Sequence, residues 1–338
     1  MKFFLTVLLL VLLIIAAAAA VLYLPFGPHS ETFVDIAPGS STHAIAVQLQ
    51  NAGILRTQYA FALVRLRRTF TVEPLILKAG EYRFDHPATP QEIFARIARG
   101  DVYSVALTIP EGYNLFDISQ AVEAAHLGTA ADFLAAARQH TELIAAFFPA
   151  GSPQPASLEG YLFPDTYHFS RHATPLQMLT AMVHRFHLEL SRLDASGQMP
   201  ADVPRMVLMA SLIEKEVRQD SERPLVAGVF NNRLARGIPL ATDPTVIYAA
   251  LLEGHYSGTI HRSDLANANP YNTYRHAGLP PGPIANPGIA SLKAALAPAA
   301  SDYLYFVARP DGSGRHQFSK DLAAHSAAAA RYRQGAAK

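Results

Sequence analysis

The sequence predicts an α+β protein with an N-terminal transmembrane helix, a small β-α unit, and a larger helix-rich domain carrying short β-sheets. Three observations lead there. An apolar run fills positions 3–24, strand and helix periodicities alternate after it, and helices separated by long polar and aromatic loops follow a proline-rich stretch.

The apolar run, Phe3 to Leu24, is broken only by Thr6. About 20 such residues cross a bilayer. Lys2 is the sole charge before it, which favours a cytoplasmic N-terminus and everything after Pro25 outside. The alanine run keeps a cleaved signal peptide as the alternative, but the stretch exceeds a typical signal core.

After a short linker at 25–30, Thr32 to Ile36 reads as a strand and Pro38-Gly39-Ser40-Ser41 as a turn and helix cap. The next helix puts Ile45, Ala46, Leu49 and Ala52 on one face and stops at Gly53. A second helix, about 57–68, carries Tyr59, Phe61, Leu63, Val64 and Leu66. Its basic end, Arg65, Arg67 and Arg68, suits a solvated C-terminus. Thr89-Pro90-Gln91-Glu92 is a capping box opening a helix over 90–99 that Gly100 closes. Ile36, Gly39, Ile45, Leu49 and Ile54 recur at one interval as Ile109, Gly112, Ile118, Val122 and Leu127. That spacing fits either an internal duplication or generic β-turn-α grammar. The proline-rich residues 149–157 mark a boundary, giving an anchor at 1–24, an N-terminal region at 25–150 and a second domain at 151–338.

Composition narrows the chemistry. A net charge of +1 argues against nucleic acid as a partner. With no cysteine, disulfides, thiol catalysis and cysteine-bound zinc are excluded. His184 and His187 lie three apart on a predicted helix without a third ligand nearby, so no metal is expected, and no cofactor is expected either.

The chemistry centres on a helix expected over 202–219, with Asp202 as cap and Pro204 in its first turn. At about 100° per residue, Val203, Met206, Val207, Ala210, Ile213 and Val217 form one apolar arc, and Glu214 falls inside it. Glu216 points to the opposite side. A carboxyl desolvated without a cation holds its proton to higher pH and can serve as general acid and then base. Glycosidic cleavage requires that. The alternative is a structural ion pair with a buried arginine such as Arg233. Glu159, Asp165 and Asp243 are candidates for the second carboxylate of a hydrolase. A lytic enzyme needs none, because the sugar's own 6-hydroxyl closes on C1. Asn231, Arg233, Asp243, Tyr248, Asn272 and Tyr274 offer hydrogen bonds and flat faces suited to an amino sugar, and each also fits a loop-stabilising role.

The stretches LEGYLFPDTY, ASLIEKE, SERPLVAGVFNNRL, LATDPTVIY, NPYNTY, GLPPGPIANPG and YLYFV resemble the YceG-like endolytic murein transglycosylases, from about residue 157 to 332. The Ile36-to-Leu49 run resembles the opening of a LysM module, placed at about 31–106. The resemblance implies a single-pass inner-membrane protein with a LysM-like unit and a catalytic domain on the periplasmic side. It implies cleavage of the MurNAc-β-1,4-GlcNAc bond of nascent peptidoglycan glycan strands with 1,6-anhydro ends, ending glycan polymerisation. Glu214 would be the catalytic residue, and Glu159, Glu216, Asn231, Arg233, Asp243, Tyr248, Asn272 and Tyr274 the candidates for binding substrate. Peptidoglycan synthases are the protein partners such a role would meet. A hydrolytic muramidase and a non-catalytic peptidoglycan-binding scaffold stay open as alternatives.

Overall fold

The computed structural model describes residues 2–69, 76–194 and 202–336 and divides into two units, Met1–Val105 and Ala106–Lys338.

The first unit opens with α1 (Lys2–Tyr23), the one helix among the described residues long and apolar enough to cross a membrane. Strand β1 (Thr32–Ile36) sends Val34 and Ile36 inward at the period of two that a half-buried strand demands. Ser41 caps α2 (Thr42–Asn51) by accepting from the Ala44 N–H, and Ile45, Ala46 and Leu49 form its buried face, as the spacing predicts. Gly53 then turns the chain at a φ of 71°. Helix α3 (Gln58–Thr69) buries Ala60, Phe61 and Val64, while Tyr59, Leu63 and Leu66 stay exposed. Strand β2 (Gly80–Phe84) pairs antiparallel with β1, Thr32 facing Phe84 and Ile36 facing Gly80. Helix α4 (Pro90–Arg99) carries the full Thr89–Glu92 capping box and ends at Gly100 in the left-handed region. Leu49, Phe61, Tyr82, Phe94 and Ile97 knit these elements into one core.

In the second unit β3 (Val105–Thr108) leads to α5 (Leu115–Ala124), which Asn114 and Asp117 cap reciprocally, and to α6 (Ala130–Gln139). Residues 149–157 are a loop within this unit. Beyond it come β4 (Thr166–Phe169), paired with β3, and α7 (Pro175–Asp194). Then follow α8 (Val203–Glu216), α9 (Arg223–Ala235), α10 (Asp243–Leu252), α11 (Arg262–Ala266) and α12 (Ile289–Leu296). The antiparallel β5 (Tyr305–Ala308) and β6 (His316–Ser319) precede α13 (Leu322–Ala336). Helix-rich with two-stranded sheets, the fold is α+β as expected. Both copies of the repeated pattern bury their apolar positions, and Gly39 and Gly112 share a φ of 78°.

Candidate active site

Helix α8 positions two carboxyls. Asp202 starts it by accepting from the Arg205 N–H, and α9 and α12 pack along it. Every residue of the predicted apolar arc is buried. The helix stops at Glu216, three residues short of the expected end, because Val217 turns extended to enter the core. That stop leaves Glu214 and Glu216 in the last turn, facing different walls.

Glu214 is as buried as the arc requires, its side chain 5% exposed. Its Oε1 accepts from Arg223 Nη1 at 2.9 Å and its Oε2 from the Gly288 N–H at 2.9 Å. The expectation of a desolvated carboxyl without a cation is therefore overturned. The partner is also not Arg233, whose guanidinium donates to the Pro239 and Leu304 carbonyls. Arg223, at the start of α9, is itself buried and donates to Asp220 Oδ1 at 3.0 Å and to Ser291 Oγ. Glu111 Oε2 lies 3.9 Å from it. One guanidinium thus gathers Glu214, Asp220 and Glu111. Burial, then the nearby Glu214 charge, pushes the Glu111 carboxyl up. The backbone closes in as well. A Cβ on Gly288 would stand 1.9 Å from Glu111 Oε1, and one on Gly112 3.5 Å from Glu214 Cγ.

Glu216 looks into a groove of about 520 Å³ that Arg233, Thr242, Asp243, Tyr274, Tyr305 and His325 also line. Burial first, then the Asp243 charge, pushes its carboxyl up to about 7. Tyr274 donates to Asp243 Oδ1 at 2.7 Å. Burial and the Arg233 charge push the His325 imidazole down, keeping it neutral at pH 7. Thr242 Oγ1 and His325 Nδ1 are buried without a hydrogen-bond partner among the described residues. Beside them Ala241 holds a left-handed φ of 50°, a strained conformation for a residue with a Cβ. Orphaned polar atoms, a proton-holding carboxyl and two tyrosine faces make a groove suited to a hydroxyl-rich ligand.

Of the expected binding residues, Glu216, Arg233, Asp243 and Tyr274 meet in this groove. Glu159, Tyr248 and Asn272 lie instead in the interior, at most 4% exposed. Glu159 accepts from the Leu115 N–H, Tyr248 Oη and Asn286 Nδ2, and burial pushes its carboxyl up to about 7. Asn272 Nδ2 ties down the carbonyls of Asp264, Leu265 and Asn267. Their donors and acceptors are engaged in holding loops. Asn231 is half-buried on α9 and does not line the groove. Asp165 pairs with Arg185 at 2.6 Å. Among the described residues no group of histidines and carboxylates could hold a metal. Sequence reasoning missed Arg223, Glu111, Thr242 and His325. Arg223 stood inside a quoted motif, and Glu111 beside the glycine of the repeat, whereas His325 carried no local signal.

The sequence pattern of the YceG-like family matches residues 34–331. An endolytic murein transglycosylase of Bacillus subtilis is 32% identical over 312 residues, covering 88% of this chain and 84% of that protein. One from Streptococcus pneumoniae is 30% identical, covering 84% of this chain and 56% of its own longer one. A crystal structure of a YceG-like protein from Listeria monocytogenes superposes with a TM-score of 0.56 at 32% identity, covering 89% of this chain and 99% of that one.

Proposed function

Because the chain belongs to the YceG-like family, we propose that it is an endolytic lytic transglycosylase of peptidoglycan with Glu214 as its acid and base. The observation that carries the assignment is the cradle of Glu214: a buried carboxyl with one oxygen on a backbone N–H and the other on a guanidinium that has further carboxylate partners. When a glycosidic oxygen takes the place of the guanidinium at Oε1, Arg223 turns to Asp220 and Glu111. The exchange leaves no cation unpaired. Released from the guanidinium, the Glu214 carboxylate takes up a proton from solvent, gives it to the leaving GlcNAc oxygen as the C1–O bond breaks, and takes one back from the MurNAc 6-hydroxyl. That oxygen closes on C1 as a 1,6-anhydro ring, so proton and bonds balance without water.

The same proposal places α1 in the inner membrane, the catalytic domain outside it, and the enzyme beside the synthases whose strands it ends. The β1-α2-α3-β2 order with antiparallel strands supports a LysM-like glycan-binding reading of the first unit.

A second reading rests on Glu216, which faces the groove and holds its proton to about pH 7. One experiment separates them. Uncrosslinked glycan strands are digested with the full-length protein, E214Q and E216Q, and the ends are read by mass spectrometry. Anhydro ends that vanish in E214Q and persist in E216Q are expected. The reverse pattern transfers the chemistry to Glu216, reducing ends indicate a hydrolase, and no product from any variant leaves a binding scaffold.

A further inference from the structure

Helix α3 carries two apolar faces where a soluble helix has one. Ala60, Phe61 and Val64 enter the core, yet Tyr59, Leu63 and Leu66 are 69%, 50% and 58% exposed. At about 100° per residue those three fall within roughly a 60° arc, a continuous ridge facing away from the core. A groove of about 350 Å³ runs beside the ridge, lined by His43, Ala46, Ala62 and Arg65 together with Tyr59 and Leu66. Exposed apolar ridges of this kind mark a surface that something covers.

What covers it follows from α1. At about 1.5 Å per residue its 22 residues are long enough for the roughly 30 Å hydrocarbon core, so Tyr23, its last residue, sits at headgroup level. Arg67 Nη1 donates to Tyr23 Oη at 3.0 Å. Arg67 lies on α3 about 40° from Leu63, so the ridge is turned toward the side on which α1 ends. The chain leaving α1 is held there too, with Arg56 stacked 5.0 Å over Phe26. Helix α3 contains no acidic residue, while Arg65, Arg67 and Arg68 crowd its last turns.

We propose that the Tyr59–Leu63–Leu66 face of α3 lies in the interfacial layer of the bilayer, with Arg65 and Arg67, which flank it, on anionic lipid headgroups, while Arg68 stacks over the core ring of Phe94. The ridge supplies apolar burial and the arginines the charge attraction that interfacial helices use. This inference rests on α1 being the anchor. With it, the first unit is held flat at the foot of the membrane helix rather than swinging on a free linker.

The chain has no cysteine, so single probes are placed without interference. Full-length L63C, L66C and, in the anchor, L10C are labelled with an environment-sensitive nitrobenzoxadiazole and reconstituted in nanodiscs containing phosphatidylglycerol. Half the discs also carry doxyl-labelled acyl chains. We expect blue-shifted emission at all three positions and at least about twofold quenching by doxyl lipid, as for a helix buried a few ångströms into the acyl boundary. Replacing phosphatidylglycerol with phosphatidylcholine, or Arg65 and Arg67 with glutamine, weakens quenching at 63 and 66 only. Quenching at 10 without quenching at 63 and 66 overturns the proposal and leaves the anchor standing. No quenching at 10 removes the anchor and the proposal with it. A blue shift at 63 without quenching shows a protein partner or second copy on this face, which also overturns it.

Discussion

Arg223 donates to Glu214 across the start of α9 at 2.9 Å, and neither side chain is more than 6% exposed. Removing one member of such a pair strands a buried charge, at a cost of about 3–5 kcal/mol, whereas replacing both with neutral groups costs far less. R223M is therefore expected to lower the denaturation midpoint sharply and E214Q modestly, because glutamine keeps an acceptor for the Gly288 N–H. The double variant should be more stable than the sum of the two losses implies. Additive losses in a double-mutant cycle would show that the pair is not coupled.

Glu159 makes the stability of the second unit depend on pH. Its carboxyl is raised to about 7 in the fold against about 4.5 unfolded, so the folded protein holds the extra proton between those values. The contribution of this group is fully present at and below pH 4.5 and is lost as pH rises toward 7, at up to about 1.4 kcal/mol per unit. Chemical denaturation of the full chain at pH 5, 6 and 7 should show the fall. In E159Q the part of the slope due to this residue should vanish, and an unchanged slope would assign the effect elsewhere.

Two glycines of the second unit should respond differently to alanine. Gly160 has a φ of 89°, and a Cβ there would stand 2.7 Å from Pro283 and 2.8 Å from Val207. Strain and overlap together should cost about 3 kcal/mol or more. Gly288 has an ordinary φ of −78°, and the nearest atoms to its Cβ would be those of the half-exposed Glu111 carboxylate, which can swing aside. G288A is expected within about 1 kcal/mol of the parent. Equal shifts in thermal midpoint would contradict this account of both positions.

These contrasts also explain what the sequence could and could not reveal. The N-terminal apolar helix, the Ser41 and Thr89 caps and the arc that buries Glu214 are set within a few residues, and each is found where its pattern predicts. Arg223 escaped because a helix stop at Val217 and a turn at Asp220–Glu222 separate it from Glu214, so no periodicity links them. The groove drew Glu216, Asp243, Tyr274, Tyr305 and His325 from distant segments, a juxtaposition only tertiary packing creates. Glu159 and Asn272 carried two readings because a polar residue in a motif looks the same whether it meets a ligand or holds a loop.

The groove gives a last test, because its charge state follows from two carboxyls. Glu216 is protonated below about pH 7 and Asp243 helps keep it so. A protonated Glu216 can donate to a sugar oxygen, and the carboxylate cannot. Affinity for N-acetylated glycan oligomers should therefore be constant below pH 7 and weaken above it, by at most about tenfold per unit. E216Q should flatten that profile. D243N removes the charge that raises Glu216, so its midpoint should move to lower pH. Y274F acts oppositely, since freeing Asp243 Oδ1 from its hydroxyl partner leaves that charge less screened. Isothermal titration of full-length E214Q, which binds without turnover, reads all three profiles. A D243N midpoint that stays put or rises would remove Glu216 from the binding of glycan.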